Sequence, residues 1–323
     1  MRQSTIRHVV TASIILGGAI VLGSSDVATS APISTPTGFS MVLNPRVPSS
    51  VILCGSTIDL DNVDYYERFD RELTSLTYTH GNTLLTIKRA NRYFPQMAPI
   101  LRANGVPEDL LYLACVESTL NPCAVSPAKA AGIWQFIPST AKEYGLEIND
   151  EVDERFNIDK ETAAACRYFK KALSKYGGSW TAVMASYNAG MARISGQLTD
   201  QQADEALDLH LVDETMRYPF RIMAMKAIME RPADYGFIIS ADQLYYPREV
   251  AIVEVNTPVD NWAEWASQHG ITYRTLRDEN PWIRATKLTN RTGKTYKVRV
   301  PTAASLRRST ASTAVFNPDW VIN

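Results

Sequence analysis

Glu117-Ser-Thr-Leu-Asn-Pro-Cys-Ala-Val-Ser-Pro-Ala-Lys-Ala-Ala-Gly-Ile-Trp-Gln-Phe-Ile-Pro138 opens with one carboxylate, and no Asp or Glu follows from Ser118 to Lys142. The glutamate closes an apolar helix pattern. Pro107 suits a first helical position, Glu108 and Asp109 suit a first turn, and Leu110 to Val116 is almost wholly apolar. The helix must stop by Asn121-Pro122, because a residue before proline is pushed out of the α region. Glu117 therefore falls in the last turn, where carbonyl dipoles and apolar neighbours both disfavour its ionised form. A general acid working near neutral pH needs that environment. Any partner carboxylate would have to come from far along the chain.

Upstream, residues 32–58 are rich in Pro, Ser, Thr and Gly without periodicity, which predicts a linker or an arm extended over the surface. From Asp64, apolar residues three and four apart predict helices over Tyr65–Leu73 and Thr83–Phe94. Pro95 and Pro99 then bracket a break, and a further helix runs from Met97 to Asn104, with Ile100 and Leu101 inward, until Gly105. Downstream, Ser139-Thr140 suits a cap for Ala141–Tyr144. Asp159–Leu173 is a strong helix closed by Gly177-Gly178, and Ser179 caps Trp180–Tyr187, which Asn188-Ala-Gly190 ends. Asp213-Glu214-Thr215 opens a last helix that ends before Pro232. Residues 59–236 thus read as one all-helical domain.

The pattern changes after Tyr235. Ile252–Val255 and Lys294–Val300 read as strands, and between them Asp260 suits a cap for a helix over Asn261–His269 and Thr272 for one reaching Glu279. This β-α-α-β order predicts a small second domain at 237–302, followed by a tail at 303–323 in which Phe316 and Trp320 dock. The fold class is mainly α with a small α+β appendage.

Composition narrows the function. With 45% hydrophobic and 21% charged residues and a net charge of -1, the chain is an ordinary globular protein without the basic patch that nucleic acid demands. Residues 1–31 carry a targeting signal: Arg2, Arg7 and His8 precede the apolar run Val9–Leu22, and Thr29-Ser30-Ala31 offers a cleavage site. That run falls short of the about 20 residues a membrane span needs. Export to the periplasm or cell envelope follows, with an uncleaved anchor as the alternative. Cys54, Cys115, Cys123 and Cys166 leave three complete pairings open and lack the spacing of a zinc site; neither metal nor cofactor is expected.

Taken in order, Glu117-Ser118, Asn121-Pro122, Ser126, Gly132-Ile-Trp-Gln135, Pro138-Ser-Thr-Ala141, Ser186-Tyr-Asn-Ala-Gly190 and Glu214-Thr215-x-x-Tyr218 resemble the soluble lytic transglycosylase family of peptidoglycan-cleaving enzymes. The resemblance covers roughly residues 85–235. It implies a lysozyme-like helical catalytic domain in which Glu117 alone serves as acid and base. Such an enzyme cuts the β-1,4 bond between N-acetylmuramic acid and N-acetylglucosamine and leaves a 1,6-anhydromuramic acid end. The acid-poor stretch after Glu117 fits, since substrate-assisted enzymes are a known exception to the two-carboxylate layout.

By the same resemblance Ser126 hydrogen-bonds the sugar acetamido group or Glu117, Gln135 lies in the cleft, and Tyr187 and Asn188 line it with the Tyr187 hydroxyl near Glu117. Glu214 lines the glycan groove or caps its helix, and Tyr218 completes the last motif. At least one of Trp134 and Phe136 belongs to the core. Ile137 stands where Met is frequent and Ser186 where Ala is usual, both beside the cleft.

The second domain resembles a diverged LysM glycan-binding module through Trp262-Ala-x-Trp265-Ala, His269-Gly-Ile271, Asn280-Pro281-Trp282 and Val298-x-Val300-Pro301, without the usual Gly-Asp-Thr-Leu entry. Its tryptophans serve either glycan binding or its own core. The implied partner is the peptidoglycan glycan strand, together with an association with cell-wall synthesis or division machinery, and the protein is expected to be a monomer. A hydrolase on the same fold and an inactive glycan-binding protein are the competing functions.

Overall fold

Apolar residues at helical spacing build the larger part of the molecule, a bundle of eight helices, in the computed structural model, which describes residues 44–309 and 313–322. The targeting signal expected at residues 1–31 lies outside them. Helix α1 (Val63–Tyr78), capped by the Asn62 side chain, turns inward on Phe69 and Leu73; α2 (His80–Ala103) does so on Ile87, Phe94, Met97 and Leu101. The break expected at Pro95 and Pro99 does not occur, and one helix runs through both. The two rings lie on one exposed face, four residues apart, while Phe94, Met97, Ala98 and Leu101 hold the other face in the core. Burial therefore outweighs the two lost backbone bonds. An interior proline costs about 3 kcal/mol relative to alanine, part of which returns through a stiffer unfolded chain. Pro95→Ala should accordingly stabilise the protein by about 1 kcal/mol or more, read as a raised denaturation midpoint at unchanged slope.

Part of the expected linker is structured. Strands β1 (Ser50–Leu53) and β2 (Ser56–Asp59) pair antiparallel around Cys54 and Gly55, both at positive φ (50° and 85°), the geometry of a two-residue hairpin turn. Val51 and Leu53 alternate inward and, with Leu60, enter the helical core. The alternation is only four residues long, too short to stand out amid the Pro and Ser around it.

Helix α3 (Leu111–Ser118) follows a 3-10 turn at Glu108–Leu110 and ends on Thr119 in the left-handed region. Helix α4 (Pro138–Glu143) begins at Pro138, so Ser139 and Thr140 lie within it rather than cap it. Asn157 caps α5 (Ile158–Lys175) and Ser179 caps α6 (Trp180–Ala189). Gly190, at φ 87°, ends α6, yet α7 (Met191–Asp200) starts on the next residue, an element that the break signal at Asn188-Ala-Gly190 concealed. Helix α8 (Asp213–Glu230) runs through the middle, burying Tyr218, Phe220, Ile222, Met223 and Met229 against α1, α3 and α6.

The C-terminal unit has the expected β-α-α-β order. Strands β3 (Val250–Val255) and β4 (Tyr296–Pro301) pair antiparallel, with α9 (Trp262–Gln268) and α10 (Tyr273–Glu279) between them in sequence. Asn261, not Asp260, caps α9. Trp262 and Trp282 are buried with Leu276, Ile283 and Val298, so both are core; Trp265 is half-exposed and stacks on His269 with ring centres 3.7 Å apart. The same core takes in Ala131, Val152 and Phe156 of the helical domain. In the tail Phe316 and Trp320 dock edge-on to Phe94, and the Trp320 indole donates to the Met229 carbonyl at 2.5 Å. All four cysteines are free thiols, with Cys115 and Cys166 buried. Among the described residues no helix is long and apolar enough to cross a membrane.

Candidate active site

Three helices and one loop converge on Glu117. It sits in the last turn of α3, half-buried, and Tyr218 of α8 donates its hydroxyl to Glu117 Oε1. Burial pushes the Glu117 carboxyl up to about 7; the Tyr218 bond and the Arg221 charge act the other way, and Glu214 adds to the rise. Burial and the Glu117 charge also raise the Tyr218 hydroxyl, so it stays a donor at neutral pH. Arg221 is itself held at 3.0 Å by Glu214 and at 2.9 Å by Glu72, a 1%-exposed carboxylate of α1 that Arg217 pairs at 2.6 Å.

The hydroxyl bonded to Glu117 is therefore that of Tyr218 and not of Tyr187. Tyr187 donates instead to the Trp134 carbonyl at 2.7 Å, although Glu117 is close enough to raise it electrostatically. Asn188 is exposed at the end of α6 and accepts from the buried Thr215 hydroxyl at 2.8 Å, joining α6 to α8. Glu214 is exposed and engages Arg221; Val212 occupies the cap position without a side-chain bond, so the capping alternative fails.

Ser126 is a turn residue. Its hydroxyl oxygen accepts from the Ala130 N–H at 3.1 Å, and Glu117 is not among its bonding partners. Gln135, at φ 52°, spends its amide N–H on the Gly132 carbonyl at 2.7 Å and the Ala124 carbonyl at 3.3 Å. Trp134 and Phe136 are both core, at 0% and 3% exposure. Ile137 is exposed, but Ser186 is fully buried and bonds the Val183 carbonyl, so it does not face a cleft.

What fixes the Gly132–Phe136 loop was not foreseen. Glu161 of α5 is fully buried and accepts from the Trp134 N–H at 3.1 Å and from Ile133, and burial holds its carboxyl well above the usual range. The Trp134 indole donates to Thr162 at 2.9 Å. Ser118, next to Glu117, donates to the Ile133 carbonyl at 2.8 Å, so the loop and the end of α3 form one unit. A signal for Glu161 was present: it shares an apolar stripe with Ala164, Ala165, Tyr168 and Ala172, where a charge is out of place. Arg155, which bonds the same loop, left no such trace.

Removing the Tyr218 hydroxyl gives a signed pH test. That bond favours the ionised form of Glu117, so its loss should raise the carboxyl further above 7. If protonated Glu117 is the working acid, Tyr218→Phe should move the alkaline limb of the kcat/KM profile to higher pH. A limb that stays put or moves to lower pH would show that this contact does not set the titration.

A cleft of about 1210 Å³ lies away from this cluster, between α2, the Glu154–Lys160 segment and the C-terminal unit; it reaches Pro122 and Cys123 but is not lined by Glu117. No group of His, Cys, Asp and Glu able to hold a metal occurs among the described residues.

A helical domain whose raised carboxyl sits on a tyrosine, followed by a βααβ unit, defines a class that direct comparison makes specific. Residues 98–209 match the Transglycosylase SLT domain and residues 251–304 the soluble lytic transglycosylase C-terminal LysM-like domain. The chain thus carries a domain of each of these two kinds. Among individual proteins it is similar to membrane-bound lytic murein transglycosylase D of Escherichia coli, 32% identical over 253 residues, 76% of this chain and 54% of that one. It is also similar to a peptidoglycan transglycosylase of an Escherichia phage, 35% identical over 28% of this chain and 7% of that one. The chain spans about half the length of the first of these relatives, 54%. A solved 70 kDa soluble lytic transglycosylase of Escherichia coli shares 18% identity over 53% of this chain and 33% of that one; its TM-score of 0.37 is too low to bear on the fold.

Proposed function

We propose that the protein is a lytic transglycosylase of peptidoglycan that uses Glu117 as its one acid and base. The observation that carries this is the Glu117 carboxyl itself: it stands half-buried with its pKa near 7, held by a tyrosine, while the neighbouring Glu214 is engaged by Arg221. A group of that pKa is part protonated and part ionised at neutral pH, so it can give a proton and take one back.

In the first half Glu117 protonates the oxygen between N-acetylmuramic acid and N-acetylglucosamine, the C1–O4 bond breaks, and the muramyl acetamido group supports the electron-poor C1. In the second half the sugar's 6-hydroxyl bonds to C1 and returns its proton to the ionised Glu117. Atoms and charge balance without water and without a second carboxylate. Tyr218 steadies the carboxylate between the halves. Asn188, Glu214, Gln135 and Ser126 are the polar groups available to the glycan around it; Tyr187 contributes by holding Trp134.

The working protein on this proposal comprises the helical domain at 59–236 and the LysM-like unit at 237–302, acting in the cell envelope on glycan strands. Sequence motifs, the two matched domains and a relative named for murein support it. Mass spectrometry of digested sacculi tests it. Muropeptides lighter by one water at the muramyl end are expected; reducing ends would mean hydrolysis, and no release would remove the enzymatic proposal.

A further inference from the structure

We infer that the C-terminal LysM-like unit is a buttress for the candidate site, acting through Arg155 as a positioning residue for the Lys129–Phe136 loop. Arg155 is buried, and its guanidinium donates to the Lys129 carbonyl at 2.7 Å and the Phe136 carbonyl at 3.1 Å, the two ends of that loop. Its remaining N–H groups fork onto Asp153 at 2.7 and 3.0 Å. The Asp153 backbone N–H in turn donates to the Trp282 carbonyl at 2.9 Å, and Val152 forms a β-bridge with Ile283. One short segment thus grips the loop on one side and the second unit on the other.

The grip on the second unit is broad. Glu151 accepts from both the N–H and the hydroxyl of Thr289, at 2.7 and 2.5 Å, and Lys294 reaches Glu147 at 2.5 Å and Glu154 at 2.8 Å. Beneath these polar contacts Val152 and Phe156 share one apolar core with Trp282 and Ile283. A module hung on the chain only to catch glycan needs neither a shared core nor a buried guanidinium. A support does, because a site holds its geometry only when the residues around it are themselves fixed. The path to the acid is short: the loop carbonyl of Ile133 is bonded by Ser118, beside Glu117.

Two variants of the full chain test this. Glu151→Ala/Lys294→Ala cuts side-chain contacts between the units without touching the loop. Arg155→Lys keeps the charge but cannot fork onto Asp153 and both carbonyls at once. The primary readout is hydrogen exchange at the Ala131 and Phe136 amides, which bond each other's carbonyls within the loop, and at the Gly132 amide, which ties the loop to the Ala124 carbonyl. Exchange there should rise about 10-fold in both variants; the native rate in either one overturns the inference, wherever else exchange changes. This arm stands apart from the proposed activity. The second readout rests on that activity: on a soluble tetrasaccharide muropeptide, kcat should fall about 10-fold or more with KM changed less than about twofold, since a small displacement of reacting groups is costly. A KM effect on sacculi alone, with kcat on the short substrate unchanged, would assign the unit to glycan capture instead. A wild-type protein inactive on every substrate, with loop exchange still responding, would leave the buttress standing and remove the transglycosylase.

Discussion

Glu117→Gln is expected to fold and to release muropeptides from sacculi at least about 100-fold more slowly than the wild type, the lower end of what general acid–base catalysis supplies. The amide matches the carboxyl in size and can still accept from Tyr218, but it can neither give nor take the proton on which both halves of the reaction depend. Near-native release would remove Glu117 from the mechanism. The same variant has a stability signature that activity cannot mimic. Glu117 is raised from 4.5 to about 7 on folding, so the native state favours its neutral form. The stability gained from keeping it neutral is complete below about pH 4.5 and is lost as pH rises through about 7. Glutamine has no such loss. The melting temperature of the variant relative to wild type should therefore climb between about pH 4.5 and about 7 and level off above. A gap that stays flat across that window would mean that the carboxyl is not buried as described.

Gly132→Ala should be strongly destabilising, for among the described glycines only here would a Cβ lie under 3 Å from other atoms. Gly132 has φ 84°, and a Cβ there would lie 1.8 Å from the Arg155 carbonyl oxygen and 2.3 Å from Glu161 Oε2. The first contact is with backbone and cannot swing away. Left-handed strain of about 1–3 kcal/mol and overpacking of similar size combine to a loss of at least about 3 kcal/mol. Because the displaced segment carries Ile133 and Trp134, activity should fall along with the denaturation midpoint. Native stability in chemical denaturation would show that the loop has room it lacks here.

Element type was legible wherever burial follows a simple period. The α6 cap at Ser179, the opening of α8 at Asp213 and the β-α-α-β order are all written locally. The continuity of α2 was not, since a rule about proline knows nothing of which face the ring will occupy. Nor was α7, whose start hides behind the glycine that ends α6. At the site the motifs gathered Glu117, Tyr187, Asn188, Glu214 and Tyr218 into one neighbourhood, yet their order did not reveal which tyrosine would bond the acid. That depends on how α8 crosses α3, a tertiary matter. Arg155 was invisible for the same reason, since the loop groups it bonds are backbone carbonyls without a side-chain signature; Glu161 showed as a charge on an apolar stripe, but not what it would bond.

The segment that matches the Transglycosylase SLT domain is smaller than the machine it belongs to. Tyr218, which holds the Glu117 oxygen, and Arg221 lie on α8, beyond the matched residues 98–209, and Glu72, which anchors Arg221, lies on α1 before them. A fragment excised at the limits of that domain match would keep the acid and discard both its donor and the charges that tune it, so inactivity of such a fragment would say nothing about the intact chain.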